Sequence, residues 1–447
     1  MGGDMLNVIK YFSTVPFSGL FNWSVQYLND SKIAFSKAYP MMRIGEFLKR
    51  NKTVVAIQDG VKYKRVTIKV RNGGVFLRDE VMGENIGTKK QYLVSEGQFI
   101  LSKIDARNGA MGIIPTVLNG AVVTQDFLPY DIDTTKVNPQ YFVLLCTTRQ
   151  FVEFCQNCSS GTTNRQRVDE AQFLNIKVPV PSLAEQNKLV EEYNKQIIVA
   201  NNLIQECRDI DNSILQYFDN TIGLKRSERT IKLLSLMRYA DITTRWDSFA
   251  ITSKLSAEVP IYPLGNFIKD IATGTTPPTS KKEYFNGDIK FYTPSDICGN
   301  MYLTATDRTL TQKAIDDKKA RVFHKGDILF VGIGTIGKVG IVNDELVTSN
   351  QQITGFTLKK ESLLPEYAFY FLHYHKEISA SEQTKTTLAI VNQEKIANIP
   401  IPVPAMAQQV EMVEHMNEMR NKIEVVYRSS IKSRTDALKN FETQIYE

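Results

Sequence analysis

Cysteine is scarce in this chain, five in 447 residues. That excludes the disulfide framework of a secreted scaffold, and a reducing cytosol is the expected compartment. Histidine is scarcer, with four copies and no H-E-x-x-H spacing among them. No stretch approaches the roughly 18 apolar residues of a membrane span. The N-terminus, MGGDMLNVIKYFS, lacks the charged start and apolar run of a secretion signal. Leu6 stands where myristoylation after Gly2 requires Ser or Thr. A large charge imbalance is also missing: 54 basic against 48 acidic residues give a net charge of +6. This excludes a histone-like polycation and leaves room for a local basic face. With 43% apolar and 23% charged residues, the chain can build full cores, and its length suggests two to four domains.

Self-comparison is more informative than composition. NIKVPVPSLAEQ begins at Asn175 and NIPIPVPAMAQQ at Asn398, with seven of twelve positions identical at an offset of 223. Pro40, Gly45, Phe47 and Lys49 match Pro260, Gly265, Phe267 and Lys269 at 220. Gly109 and Gly112 match Gly337 and Gly340 at 228, and Pro139 and Tyr141 match Pro365 and Tyr367 at 226. The only tryptophans, Trp23 and Trp246, are 223 apart. Two copies of a domain set, each about 220 residues long, therefore fill the chain; solenoid repeats are far shorter, about 20–50 residues.

Each copy opens strand-rich. Tyr63 to Val70 alternates, and Gln98 to Ile104, Asp327 to Val331 and Lys338 to Val342 read as short strands. A Pro-x-Pro then stops the preceding element (Pro179 and Pro181; Pro402 and Pro404) and fixes an extended lead into a long helix. The first helix is expected from about Ser182 to Asp219, with Ser182 and Glu185 as a capping box. Its apolar stripe is Val190, Tyr193, Ile197, Ala200, Ile204, Cys207 and Ile214. The second helix runs from about Ala405 to the end, with Met416, Met419, Ile423, Tyr427, Ile431, Arg434, Leu438, Phe441 and Ile445 on its stripe. The steps from Ile423 to Ile431 resemble a stutter. So narrow and long a stripe wants a partner helix. The expectation is that the two helices pair with each other as a spacer, roughly 55 Å long.

Several patterns imitate enzymes. Gly332, Gly334 and Gly337 spell G-x-G-x-x-G after a strand, but KVGIVND follows where a helix is required, and Thr357 sits near the acidic position. The same run reads G-x-x-x-x-G-K, and Val339 cannot bind magnesium as the Ser or Thr of a P-loop would. Glycine turns between strands are the preferred reading. Cys155 and Cys158 form C-x-x-C without further zinc ligands at suitable spacing, so buried thiols are expected. Asn138-Pro-Gln-Tyr141 resembles the Asn-Pro-Pro-Tyr of amino-methyltransferases, yet its duplicate begins with Leu364. The shared Pro-x-Tyr therefore reads as a helix start, and no catalytic constellation occurs in both copies.

The charge is uneven. From Arg43 to Ala110 there are 14 Lys or Arg against 7 Asp or Glu. Lys62, Lys64, Arg65, Lys89, Lys90, Lys103 and Arg107 are the candidates for phosphate contact. Thr162, Thr163, Asn164, Arg165, Gln166 and Arg167 form a more pointed loop. Asn and Gln suit adenine edges, Arg suits guanine, and hydroxyls suit phosphates. Copy two offers Thr384 to Leu388, including Lys385 and Thr386, with Asn350, Gln351 and Gln352 nearby. A solvated polar loop is the default for any one of these; their recurrence on both copies favours DNA binding.

Further motifs carry a family resemblance: Gly274-Thr-Thr-Pro-Pro-Thr-Ser280, Tyr284-Phe-Asn-Gly-Asp-Ile289, Tyr292-Thr-Pro-Ser-Asp296, Lys325-Gly-Asp-Ile-Leu329, Gly334-Thr-Ile-Gly-Lys-Val339 and Ile401-Pro-Val-Pro404. In order and spacing, over nearly the full length, the chain resembles the specificity subunit of Type I restriction-modification systems. In copy one the segment matching Thr276 to Ser280 is missing, and Asn51 to Asn72 stands in its place. The resemblance implies an α+β fold: two duplicated strand-rich target-recognition domains, separated by two long antiparallel helices forming a coiled coil, with pseudo-two-fold symmetry. The implied layout is an N-terminal segment packing on the C-terminal repeat (1–39), a first recognition domain (40–181), a central spacer helix (182–222), a connecting segment (223–259), a second recognition domain (260–404) and a C-terminal spacer helix (405–447). It adds Thr275, Thr276, Lys281, Lys282, Tyr292, Ser295, Thr335 and Lys338 to the residues expected to contact DNA. It implies a non-catalytic subunit reading a bipartite, asymmetric double-stranded DNA target. Its partners would be two methyltransferase (modification) subunits and restriction (translocase-nuclease) subunits. S-adenosylmethionine, ATP and magnesium would bind those partners. The alternative is a duplicated recognition subunit of another defence or DNA-modification complex; a coiled-coil scaffold binding protein alone is a rival from a different class.

Overall fold

The structure, a computed structural model, describes residues 39–157, 159–160, 167–226, 255–381 and 390–446. Expectations for 1–38, for Trp23 and Trp246, and for most of the connecting segment fall outside these residues. The chain divides into two compact units, Met1–Leu203 with Arg428–Glu447, and Ile204–Tyr427. Both cuts fall inside long helices, so each unit takes one segment of each helix.

Unit one holds strands β1 (Met41–Arg43), β2 (Leu48–Arg50), β3 (Val54–Ala56), β4 (Lys62–Lys69), β5 (Gly74–Met82), β6 (Lys90–Leu93), β7 (Phe99–Ser102), β8 (Met111–Ile113), β9 (Val122–Val123) and β10 (Phe127–Ile132). There follow α1 (Pro139–Thr147), α2 (Arg149–Asn157), a hairpin of β11 (Ser159–Ser160) and β12 (Arg167–Val168), α3 (Glu170–Asn175), β13 (Lys177–Pro179) and α4 (Leu183–Thr221). One sheet runs β2-β10-β7-β8 and a second runs β3-β6-β9-β4-β5. β7 is buried at every position, as an unbroken apolar run demands. Its Phe99 packs edge-on against Phe142 of α1, with ring centres 4.9 Å apart, and stacks on Phe173 of α3.

Unit two holds β14 (Lys225–Arg226), β15 (Leu255–Ser256), β16 (Ile261–Pro263), β17 (Ile268–Thr273), β18 (Phe285–Tyr292), β19 (Tyr302–Leu303), β20 (Thr309–Leu310), α5 (Gln312–Asp316), β21 (Val322–His324), β22 (Ile328–Val331), β23 (Val339–Val342), β24 (Leu346–Ser349) and β25 (Ile353–Leu358). Then come α6 (Pro365–Tyr374), α7 (Lys376–Ser381), α8 (Gln393–Ala397), β26 (Pro400–Pro402) and α9 (Met406–Tyr446). Its sheets run β17-β25-β22-β23-β19 and β20-β18-β24-β21. Without the edge strands β3 and β19, the two units have the same strand order in both sheets. Even the parallel pair of the second sheet recurs, β4 with β9 and β18 with β24. The diverged stretch of copy one therefore folds as the counterpart of Phe285–Tyr292.

The repeated prolines and tyrosines mark equivalent places. Pro139 and Pro365 open α1 and α6 at the position where proline's missing N–H is harmless. The Tyr141 hydroxyl donates to the Pro179 carbonyl at 2.9 Å, and Tyr367 to Pro402 at 2.8 Å. Antiparallel pairs β1–β13 and β16–β26 bring each copy's first and last strands together. Gly334 and Gly337 take left-handed backbone, and a strand rather than a helix follows them.

Inside each unit the long helices pair antiparallel. In unit two Cys207 lies against Ile423, and Thr221 meets Gln408. In unit one Ala200 meets Ser430, and Glu192 meets Gln444. Ser182 caps α4 through the Glu185 N–H at 3.3 Å. The stripe of α9 needs one correction. Tyr427 and Ile431 are 51% and 48% exposed, whereas Ser430 and Ala437 are 1% and 2% exposed. The small pair Ala200 and Ser430 lets the backbones close, and the Ser430 hydroxyl donates to the Ala200 carbonyl at 3.0 Å. The seam accordingly follows small residues there rather than large ones.

Candidate nucleic-acid interface

The turn between β24 and β25, Asn350-Gln351-Gln352, gathers polar side chains from three segments of unit two. The Asn350 amide donates to Gln352 Oε1 at 3.0 Å, and Asn350 Oδ1 accepts from the Gln352 N–H at 3.1 Å. Thr276 donates to Gln351 Oε1 at 2.5 Å, and the Thr275 N–H donates to the Ser349 carbonyl. Gly274 permits this overlay, since a Cβ there would collide with Ser349 Oγ and the Asn350 carbonyl. Thr273 accepts from the Gln393 amide at 3.0 Å. Amides carry a donor and an acceptor on one plane, which is the chemistry that reads an adenine edge. Beside the turn, Arg308 donates to Thr293 Oγ1 at 2.7 Å, and Thr293 shares a 2.8 Å bond with the exposed Ser295. The half-exposed Lys338 donates to the Pro294 carbonyl at 3.2 Å.

Unit one has the same turn with other side chains. It joins β9 to β10 and reads Thr124-Gln125-Asp126. Three backbone bonds frame each version. Phe127 N donates to Thr124 O as Ile353 N does to Asn350 O, at 3.1 and 3.2 Å. Lys103 N donates to Asp126 O as Gly332 N does to Gln352 O, at 2.7 and 2.9 Å. Val168 N donates to Lys103 O as Val391 N does to Gly332 O, both at 2.9 Å. On this common frame Arg167 pairs with Asp126 at 3.3 Å, where unit two carries Ile390 and Gln352. Glu170 pairs with Arg50 at 3.3 Å, where unit two carries Gln393.

The family model for the Type I restriction modification DNA specificity domain matches residues 36–206 and 262–430. The chain belongs to that family. Two copies of its domain thus account for the doubled frame. A relative 30% identical over 165 residues is the Type I restriction enzyme MjaIX specificity subunit of Methanocaldococcus jannaschii; the match covers 35% of this chain and 37% of the relative. The MjaVIII specificity subunit of the same organism is 22% identical over 284 residues, 61% of each chain. The matches thus span between about two fifths and three fifths of these curated relatives. A solved chain from a structural study of complex assembly and conformational transition of the type I R-M system shares the fold. It is 15% identical with a TM-score of 0.53, over 92% of this chain and 97% of that one.

The remaining candidates of this specificity-family chain are dispersed. Lys62 pairs with Glu80 at 2.6 Å, Lys89 with Asp59 at 2.6 Å, and Arg65 grips Asp79 with two bonds of 2.7 Å. The Arg65 guanidinium holds the Asp79 carboxyl below the usual carboxylate range, as Lys62 does for Glu80. Three of the candidate cations are therefore already paired with carboxylates, and the net basic excess of the segment rests on the others. Lys64 donates to the Val117 carbonyl, and Arg107 is half-buried. Lys90, exposed, and Lys103, half-buried, have no acidic partner among the described residues. Lys281 lies 5.8 Å from the Tyr284 ring centre, and Lys282 and Thr335 are exposed. Tyr292 needs a correction: it is fully buried, so it offers DNA no ring. Burial, then Asp344 and Asp296, push its hydroxyl up to about 12. Its contribution is its carbonyl, which holds the Asn350 N–H at 3.1 Å. Thr162, Thr163, Asn164, Arg165, Gln166, Lys385 and Thr386 lie outside the described residues, as does Cys158. Cys146 and Cys155 are buried, and burial pushes the Cys146 thiol up. No helix among the described residues is long and apolar enough to cross a membrane.

Sequence reading overlooked Thr124, Gln125 and Asp126. The 226-residue offset of Pro139 and Pro365 carries Asn350-Gln351-Gln352 onto them, so the signal was present. Arg308 and Gln393 had no such signal, because their roles depend on Thr293 and Thr273 meeting them across the fold.

Proposed function

We propose that this chain is the DNA sequence-recognition subunit of a Type I restriction-modification complex. Each unit reads one half of a split target. The two turns share a backbone frame but differ in side chains, and this single observation supports unlike half-sites and hence an asymmetric motif. In unit two, Asn350, Gln351, Gln352 and the flanking Thr275, Thr276 and Ser295 meet bases and phosphates. In unit one, Gln125, Arg167 and residues 162–166 do so, with Lys64, Lys90 and Lys103 setting register on phosphates. The paired helices act as the spacer that fixes the gap and dock two methyltransferase subunits, with restriction subunits joining them. S-adenosylmethionine, ATP and magnesium serve those partners, and this chain supplies the address.

The test is to purify the chain with its copurifying subunits, expose unmethylated DNA to the assembly and map methylated adenines. A two-part motif with a constant gap is expected. A continuous motif, or an assembly without methyltransferase subunits, contradicts the proposal.

A further inference from the structure

We infer that Gln186 and Gln409 are positioning residues that lock each recognition domain onto its own stretch of spacer helix and so sharpen the gap between half-sites. The inference rests on the function proposed above. Both side chains are buried, at 0% and 1% exposure, near the starts of the long helices. Gln186 Oε1 accepts from the Asn138 N–H at 2.8 Å, while its amide donates to the Lys136 carbonyl at 3.0 Å and the Pro181 carbonyl at 2.8 Å. Gln409 repeats the set: the Leu364 N–H at 3.0 Å, the Ser362 carbonyl at 3.2 Å and the Pro404 carbonyl at 3.0 Å.

In each copy one amide thus ties three pieces of backbone. These are the loop leaving the recognition sheet, the start of the following helix, and the proline segment leading into the spacer. Glutamine suits the task because its planar head offers an acceptor and two donors together. Two further contacts repeat around it. Tyr141 and Tyr367 bond the last strand before the spacer, as described above. Phe441 packs on Tyr141 with ring centres 5.9 Å apart, and Phe218 on Tyr367 at 5.2 Å, so the opposite spacer helix closes on the same point. A spacer defines a distance only if the bodies it carries cannot tilt on it. The joint supplies that condition at the same place in both copies.

The experiment uses the assembled complex and a DNA library that keeps both wild-type half-sites while the gap varies by one or two base pairs. Methylation is scored at each gap. With Gln186→Met or Gln409→Met, methylation at the wrong gaps relative to the native gap rises about fivefold or more, the effect of roughly 1 kcal/mol of lost discrimination. The bases read in each half do not change. Gln186→Glu turns a carboxylate oxygen toward the Lys136 and Pro181 carbonyls in place of the two N–H donors, and disturbs the gap profile at least as much as Gln186→Met. An unchanged gap profile in variants that assemble normally overturns the inference. If the Met variants fail to assemble, Tyr141→Phe and Tyr367→Phe each remove one bond of the joint, and an unchanged profile in those overturns it equally. A wild-type complex that shows no split motif instead contradicts the proposed function.

Discussion

The joint and the polar turn are two regions that the duplication treated differently. At the joint, both copies keep the same residue types and the same bonds: Gln186 and Gln409, Tyr141 and Tyr367, Phe441 and Phe218. At the turn they keep the backbone bonds and replace the side chains, Thr124-Gln125-Asp126 in one and Asn350-Gln351-Gln352 in the other. Replacing a buried amide that has three backbone partners is costly, because an apolar side chain strands polar groups away from water. A surface turn held by its own backbone carries almost any polar residue. On the function proposed above, the place that can vary is the place where a new target sequence would be written.

The contrast is broken most directly at the turn. Replacing Asn350, Gln351 and Gln352 together by Ala should cut the methylation rate on the native target at least about 100-fold, since three lost base contacts at 1–3 kcal/mol each total about 3 kcal/mol or more. The backbone bonds that frame the turn should leave stability nearly unchanged, as a urea melt of the complex will register.

The joint should behave in the opposite way. Gln186→Leu leaves three backbone groups without this partner, the Pro181 carbonyl buried and the other two part-buried, and should cost about 3 kcal/mol. The same urea melt measures it, while the bases read by unit two stay the same. Tyr367→Phe, losing one bond, should cost about 1 kcal/mol.

A smaller effect separates the units by pH. His373 on α6 stands where α1 carries Thr147. Burial, with Lys376 and Arg420 nearby, depresses its pKa to about 4 against the weaker opposing pull of Asp211. The native state therefore holds it neutral, while the unfolded chain binds a proton below about 6.5. Its contribution is complete above pH 6.5 and is lost as pH falls toward 4, at most about 3 kcal/mol. Hydrogen exchange between pH 6.5 and 4.5 should show α6 weakening more than α1, and His373→Gln should remove the difference. The smallest effect belongs to single surface lysines. Lys90→Ala should lower the salt dependence of DNA binding by about one ion without changing the sequence read. Lys62→Ala should do less, since Glu80 already holds that charge.

What was legible in the sequence follows the same division. Pro-x-Pro, Pro-x-Tyr and Gly45 with Gly265 announced the duplication because they lie where the joint and its strand pairs constrain chemistry. A Cβ on either glycine sits against a backbone carbonyl, Leu174 O at 3.2 Å or Ala397 O at 3.1 Å. The equivalence of β4 and β18 was not legible, because only their shared parallel pairing reveals it. The seam at Ser430 was missed because apolar periodicity favours large residues over the small ones that let helices approach. The pairing of Arg65 with Asp79 depends on strand register across a bulge after Arg65, which no local pattern encodes. The expectation that Tyr292 contacts DNA rests on the family resemblance alone, and the buried Phe291 beside it marks a strand whose rings face the core.

The most direct test of two independent readers on one frame is a paired methylation map, taken with Gln125→Ala and with Gln351→Ala in the assembled complex. The result expected is that each variant relaxes a different half of the motif and leaves the other half and the gap intact. Loss of both halves in either variant would contradict it.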